Sequence, residues 1–508
     1  MSKFYLTTPL YYVNASPHIG HCYTNIGADT LARFKRLKGD EVFFLTGTDE
    51  YGEKIYKVAH QNKESMKSFV DRASEKFKNL WKILNISYDF FIRTTDEFHQ
   101  QVVKKVVSIL FEKQDIYKAK YEGFYCIFCE AFWSKAQIKE TEGFCPDCKR
   151  KVEEIKEENY FFKLSRYQDW LKRHLKNNPG FVKPKIRYNE VLGFLENNTL
   201  NDLCICRPKK RVSWGIDFPF DSDYVIYVWF DALLNYISGA GFFYCEEKFK
   251  KWWPADIQFI GKDILRQHAV IWPIMLRALD LEPPRVIFAH GWWKVGEEKM
   301  SKSKGNIVDP YNLIKEFSLD TIRYFLLREV PFGLDGNFSY SALINRANSD
   351  LANDLGNLLY RSLNMAEKYF LGKVNPLKKD IPEEFLPLIE ELKESYVKNM
   401  DNIEFHTCLE RIWRFINVMN KFVEEKKPWV MWREKRIDEL EWFIYSLLEG
   451  IRIVGVYLYP FIPNAVSSIF TQLGVKVNEQ LSIKKSEWQR EAFYVKKEKP
   501  LFPRFNVS

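Results

Sequence analysis

Residues 3–46 read KFYLTTPLYYVNASPHIGHCYTNIGADTLARFKRLKGDEVFFLT, and their pattern decides the fold. Residues 3–8 look like a short buried strand, and a loop with Pro9 and Pro17 follows. From about His18 to Lys38, Ile19, Cys22, Ile26, Phe34 and Leu37 recur roughly on one helical face, and Gly39 is a stop signal. Residues 41–46 (EVFFLT) are a second apolar run, closed by Gly47. Strand, crossover helix and strand predict the βαβ unit of a parallel sheet.

Working outward, residues 117–218 break this rhythm with cysteine pairs, many charges and short strand-like runs, as an insertion would. Alternation resumes at residues 224–229 (YVIYVW), and further strand-like runs fall at Asp256–Ile260 and Arg285–Ala289. An apolar helical pattern from about Leu265 to Ala278 lies between them. The expectation is an α/β protein whose Rossmann-like parallel sheet is split by an insertion. After about residue 340 the strands cease, and apolar residues recur at three and four in sets around Leu351–Phe370, Phe405–Phe422 and Leu440–Leu458, as in an all-helical bundle. The expected domains are 1–116 and 219–290 for the split sheet, 117–218 for the insertion, 291–340 as a linker, 341–475 for the bundle and 476–508 as a tail without assignable pattern.

The chain has 508 residues, 46% hydrophobic and 28% charged, a globular profile rather than a disordered one. It holds no run of about 18 apolar residues, the length a membrane span needs. The first ten residues read as a strand, not a signal peptide. A net charge of +9 permits a polyanionic partner without demanding one. Nine cysteines, an odd number with no disulfide-framework spacing, predict a reducing compartment, by default the cytoplasm.

Two motifs carry chemistry. In Pro17-His18-Ile19-Gly20-His21 the histidines sit three apart at a helix start, where free N–H groups and a positive dipole end suit phosphate. Gly20 permits close approach of a nucleotide, and two imidazoles there could donate to a phosphorus centre as charge develops. In Lys299-Met300-Ser301-Lys302-Ser303, flanked by Gly296 and Gly305, three ammonium groups (Lys299, Lys302, Lys304) ride a loop that could neutralise a departing pyrophosphate. Alone, the first could be two neighbouring histidines and the second a solvated basic turn. Their order, on either side of a split parallel sheet, is rare.

At these residues the chain resembles class I aminoacyl-tRNA synthetases, whose HIGH and KMSKS signatures stand here without substitution. The segments 7–14 (TTPLYYVN), 47–52 (GTDEYG), 227–232 (YVWFDA), 261–264 (GKDI) and 271–273 (IWP) narrow the resemblance to methionyl-tRNA synthetases, from about residue 3 to about residue 475. The resemblance implies ATP-dependent activation of L-methionine, with Mg2+ on the phosphates, and its transfer to tRNA(Met). It makes His18, His21, Lys299 and Lys302 catalytic, and His18, Gly20, His21, Gly261, Asp263 and Lys302 the ATP contacts. The methionine pocket would take Leu10, Tyr12, Asp49, Trp229, Ala232, Leu233, Tyr236, Ile264, His268 and Trp272. That set suits a thioether, which favours ring edges and faces, while Asp49 at a strand's carboxyl end would meet the substrate ammonium. Leu233 stands where the family usually has a small residue or proline. Asn357, Arg361 and Trp429 match the family's anticodon-binding positions, residue types that bond and stack unpaired bases.

Cys126 and Cys129, then Cys145 and Cys148, form two CxxC pairs fifteen residues apart. Four thiolates at this spacing predict one closed, structural zinc site, with iron or redox-active thiols as alternatives. The insertion, near 100 residues, is too small for the editing domain that leucine-, isoleucine- or valine-type synthetases need. Only about thirty residues follow the bundle, so no dimerising OB-fold domain is expected and a monomer is.

Overall fold

Strands Phe90–Arg93, Glu41–Asp49, Lys3–Tyr12, Ile257–Gly261, Ile287–His290 and Val182–Lys183 stand in that order in one sheet of the computed structural model. The structure describes residues 2–127, 131–133, 135–146, 149–295, 298–299, 308–475 and 481–506. Its registers are parallel: Leu45 opposes Phe90, Leu6 opposes Ile257, and Gly261 opposes His290. Near-continuous burial of these strands is what a parallel sheet covered on both faces requires. Chain order reverses between Lys3–Tyr12 and Ile257–Gly261, so the carboxyl ends of these two strands flank a switch point, where such sheets bind ligands.

Two compact units emerge, residues 3–17 with 43–290, and residues 18–42 with 291–508. In the first unit the insertion is built on a long antiparallel pair, Ile116–Cys126 against Glu153–Phe162, flanked by Ala131–Trp133 and Leu203–Cys204. Two sequence expectations need correction here. Residues 224–229 do not rejoin the parallel sheet. Tyr224–Ile226 pairs antiparallel with Cys206–Pro208, and Val228–Leu233 is already helix, followed by helix Asn235–Ala240. Apart from half-exposed Trp229 these helices are buried all round, and a short apolar run on a buried helix looks like a buried strand. The two-residue strand Val182–Lys183, too short to leave a pattern, comes from the stretch read as insertion yet edges the parallel sheet. The helix expected over Leu265–Ala278 is a π-helical turn at Gln267–Ile271 followed by α-helix Trp272–Ala278. Pro273 has no N–H for the carbonyl four residues earlier, which favours the wider turn.

In the second unit, helix Ile19–Lys38 ends at Gly39 (φ 95°), a left-handed cap that glycine adopts freely. Asp29 in its middle accepts from Arg33 Nε at 2.8 Å and Arg323 Nη2 at 2.7 Å. Arg323, fully buried on helix Leu319–Arg328, also donates to the carbonyls of Phe461 and Pro460. The bundle comprises Asn357–Phe370, Leu386–Asp401, Phe405–Lys426, Ile437–Leu458 and Pro463–Leu473. The tail runs along it: Phe493–Tyr494 pairs with Lys373–Val374, and Phe505 packs on Phe317 with centroids 4.7 Å apart. Among the described residues no helix is long and apolar enough to cross a membrane.

Candidate active site

His18 and His21 cap the helix they begin. His18 has extended backbone (φ −133°, ψ 172°), its Nδ1 accepts from the Gly20 N–H at 3.1 Å, and its own N–H donates to His21 Nδ1 at 3.2 Å. This is a capping box made by imidazoles instead of the usual hydroxyl and carboxylate pair. The two rings stack with centroids 3.8 Å apart. Each Nδ1 spends its lone pair on a backbone donor, so in the neutral ring the proton sits on Nε2. Burial, and then the charge of His18, hold His21 well below the ordinary imidazole range. The neutral rings therefore carry Nε2–H donors at the positive end of the helix dipole, an arrangement suited to phosphate, while the first backbone N–H groups of the helix are taken by the His18 ring, the His18 carbonyl and the Val308 carbonyl. A Cβ on Gly20 would lie 2.9 Å from His18 Cε1, so only glycine lets that ring fold back onto its own helix.

The lysine segment belongs to the same unit. Strand Trp293–Val295 leads into it, with Trp293 edge-on to Tyr23 of the histidine helix at 5.8 Å. Backbone Glu298–Lys299 pairs back on that strand. Lys302 and Lys304 lie outside the described residues, as does the Lys299 side chain. The chain returns at Val308, whose carbonyl accepts from the Ile19 N–H at 3.4 Å. Both ends of the segment thus abut the helix that His18 caps.

In the other unit, one apolar cluster buries Leu233, Tyr236 and Trp272, and Leu10, Tyr12, Trp229 and Ile264 pack partly exposed at its margin. Ala232 is buried beside Leu233. Tyr236 and Trp272 lie 5.7 Å apart by ring centroid. His268 is 2% exposed. Its Nδ1 lies 2.9 Å from the Ile264 carbonyl, and its Nε2 lies 2.7 Å from Tyr236 Oη. The carbonyl can only accept, so Nδ1 carries the proton and Nε2 accepts from the tyrosine hydroxyl. Burial pushes the His268 pKa down to about 4, consistent with a neutral ring. Its side-chain partner is thus the Tyr236 hydroxyl. Trp272 Nε1–H is buried with no partner.

Asp49, 8% exposed, ends its strand, and its carbonyl accepts from Val13 N–H at 3.1 Å. Gly261 ends the strand across the switch point and opens a single turn, Lys262–Ile264. A Cβ there would meet Asp263 Oδ1 at 2.6 Å, so glycine lets the exposed Asp263 carboxylate fold back over the strand end.

Asn357 and Arg361 are half-buried, one turn apart on helix Asn357–Phe370. Trp429 is 54% exposed on helix Pro428–Arg433. Trp432 packs against Tyr369 with the rings tilted by 34° and 4.9 Å between centroids, which joins the two helices. Of the four paired cysteines, Cys126 and Cys145 are buried thiols packed with Ile138 and Val152, while Cys129 and Cys148 lie outside the described residues. Cys145 N–H donates to Arg150 O at 2.7 Å, and Lys149 N–H donates to Cys145 O at 2.9 Å. Among the buried charges that the sequence reading did not single out are Arg207 and Glu50. Arg207 lies with its guanidinium 4.2 Å from the Tyr227 ring centroid. Glu50 lies beside Asp49 at 0% exposure. Both sit in polar-looking stretches, and nothing local announces their burial.

A helix-tip histidine pair, a lysine segment returning to that tip and a doubly wound parallel sheet define a class I aminoacyl-tRNA synthetase. The family model described as "tRNA synthetases class I (M)" matches residues 4–155 and 150–363. The methionine–tRNA ligase of Caldanaerobacter subterraneus subsp. tengcongensis is 47% identical over 99% of this chain and 79% of its own length. That of Bacillus subtilis is 43% identical over 100% of this chain and 78% of its own. The Mycobacterium tuberculosis methionyl-tRNA synthetase in complex with methionyl-adenylate superposes with a TM-score of 0.94 at 39% identity, covering 99% of this chain and 100% of that one. The chain belongs to the methionyl-tRNA synthetase family.

Proposed function

We propose that this chain joins L-methionine to tRNA(Met) in two steps. The methionine carboxylate attacks the α-phosphorus of ATP and pyrophosphate leaves, giving methionyl-adenylate. The terminal ribose hydroxyl of the tRNA then takes the acyl group and AMP leaves. The observation that carries this reading is the full-length match to a solved relative described in complex with methionyl-adenylate. No side chain acts as nucleophile, so the protein contributes positioning and charge stabilisation. His18 and His21 donate from Nε2 to phosphoryl oxygens, Gly20 keeps the helix tip open, and Lys299 and Lys302 neutralise the departing pyrophosphate of Mg2+-bound ATP. Gly261 and Asp263 hold the adenosine. Asp49 takes the substrate ammonium. Tyr236, its hydroxyl tethered to His268, joins Trp229, Trp272 and Tyr12 in lining the thioether slot with Leu10, Ala232, Leu233 and Ile264. Asn357, Arg361 and Trp429 take the anticodon, within the bundle assigned to residues 341–475. The cytoplasm is the compartment assigned to the chain, as the reducing environment that its cysteine usage favours.

Methionine-dependent exchange of labelled pyrophosphate into ATP tests the first step, and leucine in the same assay tests the specificity. Exchange with methionine and not leucine, followed by charging of tRNA(Met), is the expected result. Leucine-driven exchange would overturn the reading.

The buried thiols Cys126 and Cys145 fit a zinc knuckle with Cys129 and Cys148, and zinc bound there would supply structural cross-linking rather than chemistry. Elemental analysis of the purified protein should find one zinc per chain, and a Cys126→Ser variant should have lost it. Metal-free wild type that charges tRNA normally would count against the site.

His268 also sets a pH signature. Its folded pKa of about 4 lies below the unfolded value of about 6.5. Below pH 6.5 the unfolded chain binds a proton that the folded chain refuses, so stability falls as pH drops from about 6.5 to 4 and then levels. The expected loss is about 3 kcal/mol. Urea unfolding of wild type and His268→Gln across this range checks it, because the variant lacks that part of the pH dependence.

A further inference from the structure

The densest polar network near the methionine residues surrounds Glu50, which the proposed mechanism does not use. Its carboxylate is fully buried and receives four bonds. Arg93 grips it with both arms, Nε to Oε1 at 2.7 Å and Nη2 to Oε2 at 2.8 Å. Thr48 Oγ1 donates to Oε1 at 2.7 Å and Thr95 Oγ1 to Oε2 at 2.6 Å. The backbone is held as well: Glu50 N–H donates to Thr94 Oγ1 at 2.9 Å, and its carbonyl accepts from Trp214 Nε1 at 2.7 Å. Arg93 is itself braced by Asp71 at 2.5 Å.

A buried ion pair is a poor way to gain stability, because desolvation consumes most of the Coulomb attraction, and well-packed apolar groups do as well. What a bidentate fork adds is a fixed direction. The residue fixed here is the immediate neighbour of Asp49, just before Gly52 takes φ 110°. Glu50 is the first residue after the strand, so anchoring its side chain, N–H and carbonyl fixes the backbone from which the Asp49 carboxylate leaves. Asp49 Oδ1 accepts from Tyr51 N–H at 3.5 Å within the same turn.

We propose that the Glu50–Arg93 pair is a positioning device that aims the Asp49 carboxylate at the α-ammonium of the amino-acid substrate. This rests on the assignment of Asp49 above. Glu50 and Arg93 touch no substrate and act through Asp49. Pyrophosphate exchange with methionine and ATP varied separately tests it in Glu50→Gln and Arg93→Lys, with thermal melts alongside. The expected result is a methionine KM raised about tenfold with the ATP KM within about twofold, as for loss of a supporting hydrogen bond behind a binding group. 4-(Methylthio)butanoate, methionine without its ammonium, should inhibit wild type and variants equally. If its inhibition constant shifts as much as the methionine KM, or if the methionine KM stays put, the positioning role is overturned. Asp49→Asn separates the two claims: an unchanged methionine KM there refutes the role of Asp49 itself. Should Glu50→Gln fail to fold, Thr95→Val removes one bond from the same carboxylate and is read the same way.

Discussion

Replacing His21 with alanine lowers methionine-dependent pyrophosphate exchange by about 10²–10³-fold, the loss expected for one preorganised donor to developing phosphoryl charge. The argument rests on the tautomer. His21 Nδ1 accepts from the His18 N–H, so a neutral His21 ring has its proton on Nε2. The variant loses both the donor and half of the capping box. The cap is worth about 0.5–2 kcal/mol, so a modest drop in melting temperature should accompany the loss without explaining it. Gly20→Ala is a companion test. Its methyl would lie 2.9 Å from His18 Cε1 and displace that ring while leaving both imidazoles in the chain. It should reproduce part of the rate loss with methionine binding intact. Since burial keeps His21 from taking up a second proton, the activation rate should show no inflection from this ring near pH 6.5. Near-normal exchange by His21→Ala would remove the histidine pair from the chemistry.

The parallel sheet and the bundle were legible because each rests on a long periodic signal. The strand–helix–strand order of residues 3–46 and the three-and-four spacing after residue 340 need no knowledge of partners. Shorter features were not. Val228–Leu233 is buried apart from Trp229, and on a short buried segment helix and strand leave a similar, mostly apolar string. The π turn around His268 differs from an α turn by one residue per turn, below what a pattern resolves, although Pro273 was a local cue. The histidine cap was hidden for another reason: caps are read from Ser, Thr, Asp and Asn, and imidazoles do not enter that rule. Glu50 sits in GTDEYG, a string that looks like an exposed polar turn, and only Arg93, forty-three residues later, accounts for its burial. The candidate site residues were nameable from their types and spacing, whereas the protonation and direction of each side chain depend on contacts distant in sequence.

Trp429→Ala should separate the two steps of the reaction. With 54% of its surface exposed, this indole supports little of the core, so its removal should barely move the melting temperature. Stacking one unpaired base on an aromatic ring is worth about 1–3 kcal/mol, which converts to about 5- to 150-fold in affinity. The second-order rate constant for tRNA(Met) charging should fall by that factor, carried in the KM for tRNA. Pyrophosphate exchange in the absence of tRNA should equal that of wild type. On the proposed reading the position stacks a base rather than reading its edge, so Trp429→Phe should recover most of the loss, while Arg361→Gln, which keeps bulk and loses the charged fork, should not mimic wild type on tRNA(Met). Raising salt should weaken wild type and Trp429→Ala in parallel, since the indole contributes no counterion release, whereas Arg361→Gln should show a shallower salt dependence. Equal damage to exchange and charging in Trp429→Ala would mean that this helix supports the fold rather than the anticodon.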